Sequence, residues 1–216
     1  MADTKTPRER YRAQVRAEVK EHAWEQIATA GASALSLNAI AKQMGMSGPA
    51  LYRYFAGRDE LITELVRDAY QSLADTFRET TEAAGSRADL TALAHALRDW
   101  ALADPHRYFL VYGTPVPGYH APDDITAIAS AIMATLLDAC AALPDTAPPA
   151  AFDTHIEAHR QWADGHPAPP AALHRALSVW TRLHGVLSLE AAGHFTGMGF
   201  DPGQLFEAEL QDLLAR

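Results

Sequence analysis

Apolar positions recur along this chain at helical spacing, while sustained alternation of apolar and polar residues is absent. The first run covers about residues 7–30 and sets Tyr11, Val15, Val19, Ala23 and Ile27 on one face. Gly31 stops it, because glycine adopts the left-handed conformation that closes a helix. Two short helices are expected near 37–44 and 48–54. A longer one spans about 58–81, with Ile62, Val66, Ala69, Leu73 and Phe77 inward, and breaks at Gly85-Ser86. Helices over about 87–103 and 105–112 follow, then a Pro/Gly loop at 113–124. The next helix, about 123–143, aligns Ile125, Ile128, Ile132, Leu136 and Leu143. Breaks at 144–149 and 166–170 flank a stretch, 150–165, that reads equally as short helix or loop. A long helix covers about 170–195. A last one covers about 202–214, with Asp201 as N-cap and Pro202 at the first helical position. The expected fold class is all-α, with about nine helices in two domains, 1–65 and 66–216.

The segment from Ser36 to Phe55 carries the clearest chemistry. Ser36 is placed to cap a short helix whose inner face is Leu37, Ile40, Ala41 and Met44. Gly45 supplies the positive φ of a sharp turn, and Met46 anchors the corner. Ser47 is placed to cap a second helix, where Pro49 is tolerated in the first turn. Leu51 and Phe55, four apart, pack that helix down. Gly48, Pro49, Ala50, Tyr52, Arg53 and Tyr54 are left facing outward. Two phenols and a guanidinium on a short helix suit phosphate contacts and base-edge readout in a major groove. The alternative, an ordinary helical hairpin with exposed tyrosines, requires turn, caps and aromatic cluster to coincide by accident.

This segment resembles the TetR family of bacterial regulators. The resemblance rests on Ile40-Ala41, Gly45-Met46-Ser47, Leu51-Tyr52-Arg53-Tyr54-Phe55 and Arg58-Asp59-Glu60-Leu61, and covers about residues 10–65. It implies a three-helix DNA-binding domain in which Ser36, with Leu37 at the same helix start, and Tyr54 meet phosphate. Ser47, Gly48, Pro49, Ala50, Tyr52 and Arg53 would lie in or beside the major groove, and Arg58 would reach the DNA backbone. Gly48 and Ala56 stand where the family often has a basic residue, so phosphate contacts are fewer and salt dependence is expected to be milder.

The net charge of −9 looks wrong for a DNA binder until the chain is divided. Residues 1–62 hold nine Lys+Arg against seven Asp+Glu, and residues 63–216 hold nine against twenty. A slightly basic end is thus attached to a strongly acidic body. Arg8, Arg12, Arg16 and Lys20, each four apart, form one stripe on the first helix. Its start, Arg8, Arg10 and Arg12, either meets the DNA backbone or a flanking minor groove, or forms a solvated face.

The body is expected to bind a ligand and to dimerise. Trp180-Thr-Arg-Leu-His184-Gly185 resembles a C-terminal domain type of the same family, marked by Trp-x-x-x-His-Gly, and the stretch from Arg107 looks like the same subtype. On the 170–195 helix, Leu173, Leu177, Trp180, His184, Leu187 and Ala191 make a large apolar stripe. Thr181, Gly185, Ser188 and Ala192 make a small-residue stripe. Gly185 and Gly193 would be costly in a helix unless another helix comes close. A two-fold four-helix interface, adding Leu205 and Leu213 of the last helix, would supply one; an intrachain contact is the alternative. Trp100, Tyr108, Phe109, Tyr112, Tyr119, Met133, Trp162 and Trp180 are the candidate pocket lining, since aromatics with polar tips suit an organic molecule. Plain core is the competing role for each.

Other chemistry is set aside. At 48% apolar residues the chain can bury a core, yet no apolar run has the about 18–20 residues that span a bilayer. No secretory signal is visible, and one cysteine, Cys140, fits a reducing cytoplasm. His155 and His159 could share a metal, but the string lacks the metalloprotease order and a clear third ligand. His184 and Cys140 read as packing residues. There is no Gly-rich phosphate loop or nucleophile elbow, so no enzyme, cofactor or metal is expected. The expected function is a cytoplasmic homodimer that binds a double-stranded operator and, as a repressor, is released by a small-molecule inducer. The alternatives are an activator, or a helical ligand-binding protein or enzyme with an incidental helix-turn-helix.

Overall fold

Thr6 opens the first helix with a capping box: its hydroxyl accepts the Glu9 amide while the Glu9 carboxylate accepts the Thr6 amide at 2.7 Å. The structure, a computed structural model, describes residues 6–85, 89–144, 148 and 150–215. Ten α-helices and two 3-10 turns, and no strands, occur among them. In order they are α1 (Pro7–Ala30), a turn at Ala32–Ala34, α2 (Leu37–Gln43), α3 (Gly48–Leu51) and α4 (Arg58–Ala83). There follow α5 (Leu90–Ala103), α6 (Pro105–Tyr112), α7 (Asp123–Ala141), α8 (Ala151–Ala158) and a turn at Arg160–Ala163. Last come α9 (Pro170–Ala191) and α10 (Pro202–Leu214). The ambiguous 150–165 stretch is therefore helix followed by 3-10 turn. The expected helix start at 87 lies outside the described residues, and so does much of the 144–149 break.

Contacts divide the chain into two units. The first comprises residues 1–68 and 110–122, the second 69–109 and 123–216. The first unit is built on α1, whose face Val15, Val19, Ala23 and Ile27 is buried as its spacing implies. Tyr11 is not part of that face: it is 63% exposed. Helix α1 overhangs its partners at the N-terminal end, so a residue in phase with the buried stripe has nothing to cover it. Ile40, Leu51 and Phe55 are fully enclosed, and each such burial contributes about 1.5–3 kcal/mol relative to exposure.

In the second unit α9 packs against α5, α7, α8 and α10. Its buried residues are Ala172, Leu173, Ala176, Val179, Leu183 and Leu187. The apolar stripe read from the sequence is thus rotated: Leu177, Trp180, His184 and Ala191 are only partly covered. Four neighbours around one helix favour small residues at the closest approaches, and Ala172 and Ala176 fill that role. Gly193 lies beyond the helix, not inside it. With φ +75° it makes the left-handed cap, its amide reaching the Glu190 carbonyl and the His194 amide that of Leu189. Polar braces complete the packing. Arg98 makes a two-point ion pair with Glu190, and Arg175 donates to the carbonyls of Cys140 and Pro144 at 2.9 Å each, closing the end of α7. Helix α7 has the length and mean hydropathy of a membrane span. Its buried Ile125, Ile132, Leu136 and Leu137 make it a core helix of this unit.

Candidate nucleic-acid interface

The helix-turn-helix is held by backbone chemistry at its corner. Ser36 caps α2: its hydroxyl accepts the Ala39 amide at 3.3 Å, and its own amide is taken by the Gln26 side chain at 2.9 Å. Helix α2 then closes through Gly45 at φ +65°. The Gly45 amide reaches the Lys42 carbonyl and the Met46 amide reaches that of Ala41, which turns the chain sharply into α3. The glycine expected to make this turn does so. Ser47 stands at the N-cap of α3, but its side chain makes no cap bond. The Ala50 and Leu51 amides bond to the Ser47 carbonyl instead, and the exposed hydroxyl is left for another acceptor or donor.

Helix α3 is a single turn, ending at Leu51 where the sequence suggested 54, and Tyr52–Tyr54 continue as turn. A helix this short cannot hold itself together and depends on its packed side, Leu51 and Phe55. Opposite that side, Ser47, Pro49, Tyr52 and Arg53 are exposed, with Gly48, Ala50 and Tyr54 half-buried. Tyr52 is 47% exposed although large and aromatic. A Cβ at position 48 would stand 3.2 Å from Asn38 Oδ1, so a side chain there would require the Asn38 amide to shift by a few tenths of an ångström. At 56 the Ala56 amide donates to Glu60 Oε2 at 2.6 Å, so the backbone at this point serves the start of α4.

Three expected contacts are changed by the structure. Leu37 is buried, so its side chain belongs to the core and not to a DNA surface. The guanidinium of Arg58 donates to the Ala32 carbonyl at 3.0 Å and lies 3.8 Å from Asp59, which makes it a brace between α4 and the turn after α1. The basic stripe on α1 is divided. Arg8 and Arg10 are exposed, whereas Arg12 donates to the Arg53 carbonyl at 3.2 Å, Arg16 grips the Tyr54 carbonyl, and Lys20 pairs with Asp68 at 2.5 Å. Sequence spacing shows that four cations share a face but not which carbonyls and carboxylates that face meets.

Comparison with known proteins decides the family. Residues 21–65 match the family model for bacterial regulatory proteins of the tetR family, and residues 90–213 match the tetracyclin repressor-like C-terminal domain. The chain belongs to the TetR family. It is 39% identical over 217 residues to the HTH-type transcriptional regulator Rv1816 of Mycobacterium tuberculosis, covering 94% of this chain and 92% of that protein. The regulator Mb1846 of Mycobacterium bovis matches to the same extent. Among solved structures, SCO4313, described as a regulatory protein, shares 72% identity with a TM-score of 0.88 over 98% of this chain and 100% of that one. FadR of Bacillus halodurans, a fatty acid degradation regulator, shares the fold at 14% identity, TM-score 0.59, over 92% of this chain and 97% of that one. This TetR-family chain is a DNA-binding transcriptional regulator.

The second unit contains a cavity of about 630 Å³ between the C-terminal half of α4 and α7. It is lined by the apolar Ala74, Ala131, Ile132 and Ala142 and by the charged Asp75, Arg78, Glu82 and Asp138. Arg78 donates to Asp75 at 2.9 Å and holds that carboxyl below its usual range. None of the expected lining residues borders this cavity. Trp100 is buried and donates to Ser72 Oγ at 3.1 Å. Tyr108 is fully buried, stacked on His184 and sharing a 2.9 Å hydrogen bond with its Nδ1. Burial pushes the Tyr108 phenol up to about 12 and the His184 imidazole down to about 4. Trp180 lies 4.2 Å from the His184 ring and borders a small cleft of about 10 Å³. Trp100 and Tyr108 are core, and Trp180 is partly covered. Phe109, Tyr112, Tyr119, Met133 and Trp162 are half-buried, and the Tyr119 hydroxyl is buried without a partner. Aromatic residue type alone does not separate core from cavity, whereas the observed cavity is lined mostly by alanine, threonine and charged residues.

On α9, Thr181, Gly185 and Ala192 are exposed and Ser188 is half-buried. No atom lies within 4 Å of a Cβ placed on Gly185, so no helix of the same chain approaches there. On α10 Leu205 is half-buried. Leu213, at 1% exposure, packs inside its own unit and cannot form an interface. Among the described residues no cluster of three or more metal-binding side chains occurs; His155 and His159 stack 4.4 Å apart with no third ligand.

Proposed function

We propose that this TetR-family regulator acts in the cytoplasm as a homodimeric repressor that leaves a two-fold operator when a small organic molecule binds. The DNA-binding domain spans 1–65, and the ligand-binding and dimerisation domain spans 66–216. Ser47, Gly48, Pro49, Ala50, Tyr52 and Arg53 enter or flank the major groove. Ser36, Tyr54, Arg8 and Arg10 meet the phosphate backbone. The observation that carries this reading is the exposed Tyr52-Arg53 pair in the turn that continues a one-turn helix, fixed from behind by Leu51 and Phe55. Two such helices in a dimer would lie about 34–36 Å apart, one turn of B-DNA.

The open face of α9 around Gly185 supports dimerisation, since a glycine in a helix is favoured where another backbone must come close. The cavity between α4 and α7 falls within the about 300–1,000 Å³ of small-molecule sites, and its mix of apolar and charged lining residues suits a ligand with an apolar body and a polar group. Light scattering on the purified protein, alone and with its upstream duplex, tests the assembly. Two chains per particle are expected, and Gly185→Arg, whose Cβ meets no atom of its own chain, should yield folded monomers with little operator affinity. Wild-type protein that binds the duplex as a monomer overturns the reading.

A further inference from the structure

We infer that Arg16 is a positioning residue for DNA recognition, fixing the C-terminal end of the recognition helix from behind while its own guanidinium stays off the DNA. The inference rests on the helix-turn-helix reading above and adds the residue that orients it. Helix α3 has one turn, so its end must be held by something other than its own ladder. The amides of Arg53, Tyr54 and Phe55 bond back to the carbonyls of Ala50 and Leu51. The carbonyls of Arg53 and Tyr54 point the other way, toward α1. Arg12 donates to the first at 3.2 Å, and Arg16 donates to the second.

The guanidinium of Arg16 makes three further contacts. Its central carbon lies 4.1 Å from the centre of the Phe55 ring, which is itself fully buried. Glu60 and Glu64, one turn apart on α4, each approach it at 3.4 Å. Glu60 uses its other oxygen to accept the Ala56 amide. One planar cation thus joins α1, the end of α3 and the first turns of α4. With its side chain only 23% exposed, it is poorly placed to reach a phosphate as well. Arg8 and Arg10, by contrast, lie in the open. Tyr52 and Arg53 directly precede the gripped carbonyl, so their direction depends on it.

Lysine cannot reproduce this arrangement. Its single ammonium lacks the fork that meets a carbonyl and two carboxylates in one plane while stacking on a ring.

The test measures affinity for an operator selected from a random duplex pool and for a non-operator duplex, over a range of KCl, with wild type, Arg16→Met and Arg16→Lys. Circular dichroism melts report folding. Arg16→Met is expected to weaken operator binding about 10–100-fold, to leave non-operator affinity within about twofold, and to keep the wild-type salt slope, because phosphate contacts are unchanged. Arg16→Lys should fall between the two. Equal operator affinity in Arg16→Met overturns the inference. So does parallel weakening on both duplexes with the slope reduced by about 0.9, the signature of a direct phosphate contact. If Arg16→Met does not fold, Arg16→Lys decides: operator affinity equal to wild type overturns the inference. Wild-type protein that fails to distinguish the duplexes overturns the helix-turn-helix reading itself, and the inference with it.

Discussion

Helices α2 and α3 of the first unit are seven and four residues long, while α7 and α9 of the second run to nineteen and twenty-two. The two sets are held differently. The long helices have apolar faces of several turns, and burial along that length outweighs the cost of ordering them. The short ones bury only a few side chains each. Their geometry depends on named polar contacts: the Ser36 cap, the Gly45 corner, and the Arg12 and Arg16 grips on the end of α3. A recognition element needs a fixed direction more than a large core, and point contacts supply direction. The comparison implies that single substitutions in the first unit should disturb function beyond their effect on stability, while those in the second should act through packing.

The largest effect expected is at the largest buried side chain beneath the recognition helix. Phe55 is fully buried beneath the recognition helix. Phe55→Ala should cost about 3–5 kcal/mol in urea unfolding and abolish operator binding. Retained binding with a small loss of stability would show that polar contacts alone hold α3.

A smaller effect probes the second unit through pH. In the unfolded chain His184 protonates near its ordinary 6.5, whereas burial lowers it to about 4 in the fold. Between these values the unfolded state binds more protons, so stability should fall as pH drops from 6.5 toward 4. His184→Gln should flatten that part of the urea-midpoint profile. An unchanged profile would mean that other groups carry the acid sensitivity.

The smallest effect lies at the α2 cap. Ser36→Ala removes a hydroxyl that accepts the Ala39 amide and should cost about 1 kcal/mol. Operator affinity should fall by more than the melt suggests, because Ser36 is also proposed to face phosphate. A loss of affinity matching only the unfolded fraction would confine Ser36 to its capping role.

The same contrast explains what could be read from the chain. The corner at Gly45 was legible because a tight turn needs a left-handed residue and glycine tolerates it best. The buried faces of α1 and α4 were legible from periodicity, apart from Tyr11, where the spacing continues after the neighbouring helices stop. The cross-braces were not legible. Arg16 sits in a run of evenly spaced cations, and nothing local says that it meets the Tyr54 carbonyl from 38 residues away. The cavity between α4 and α7 was not legible, because its lining carries no aromatic signal, and Trp100 and Tyr108 are tied into the core. On α9 the small-residue stripe was read correctly as a separate face, but the apolar stripe was displaced because four helices surround it.

The central claim, that residues 36–55 read DNA, is tested most directly by a salt titration of operator affinity with wild type and Arg53→Ala. The account predicts that wild-type affinity falls with salt, though less steeply than with a basic residue at 48 or 56, and that an Arg53→Ala variant melts like wild type but binds the operator about 1–3 kcal/mol more weakly. Salt-independent binding, or an Arg53→Ala variant with full operator affinity and discrimination, would contradict it.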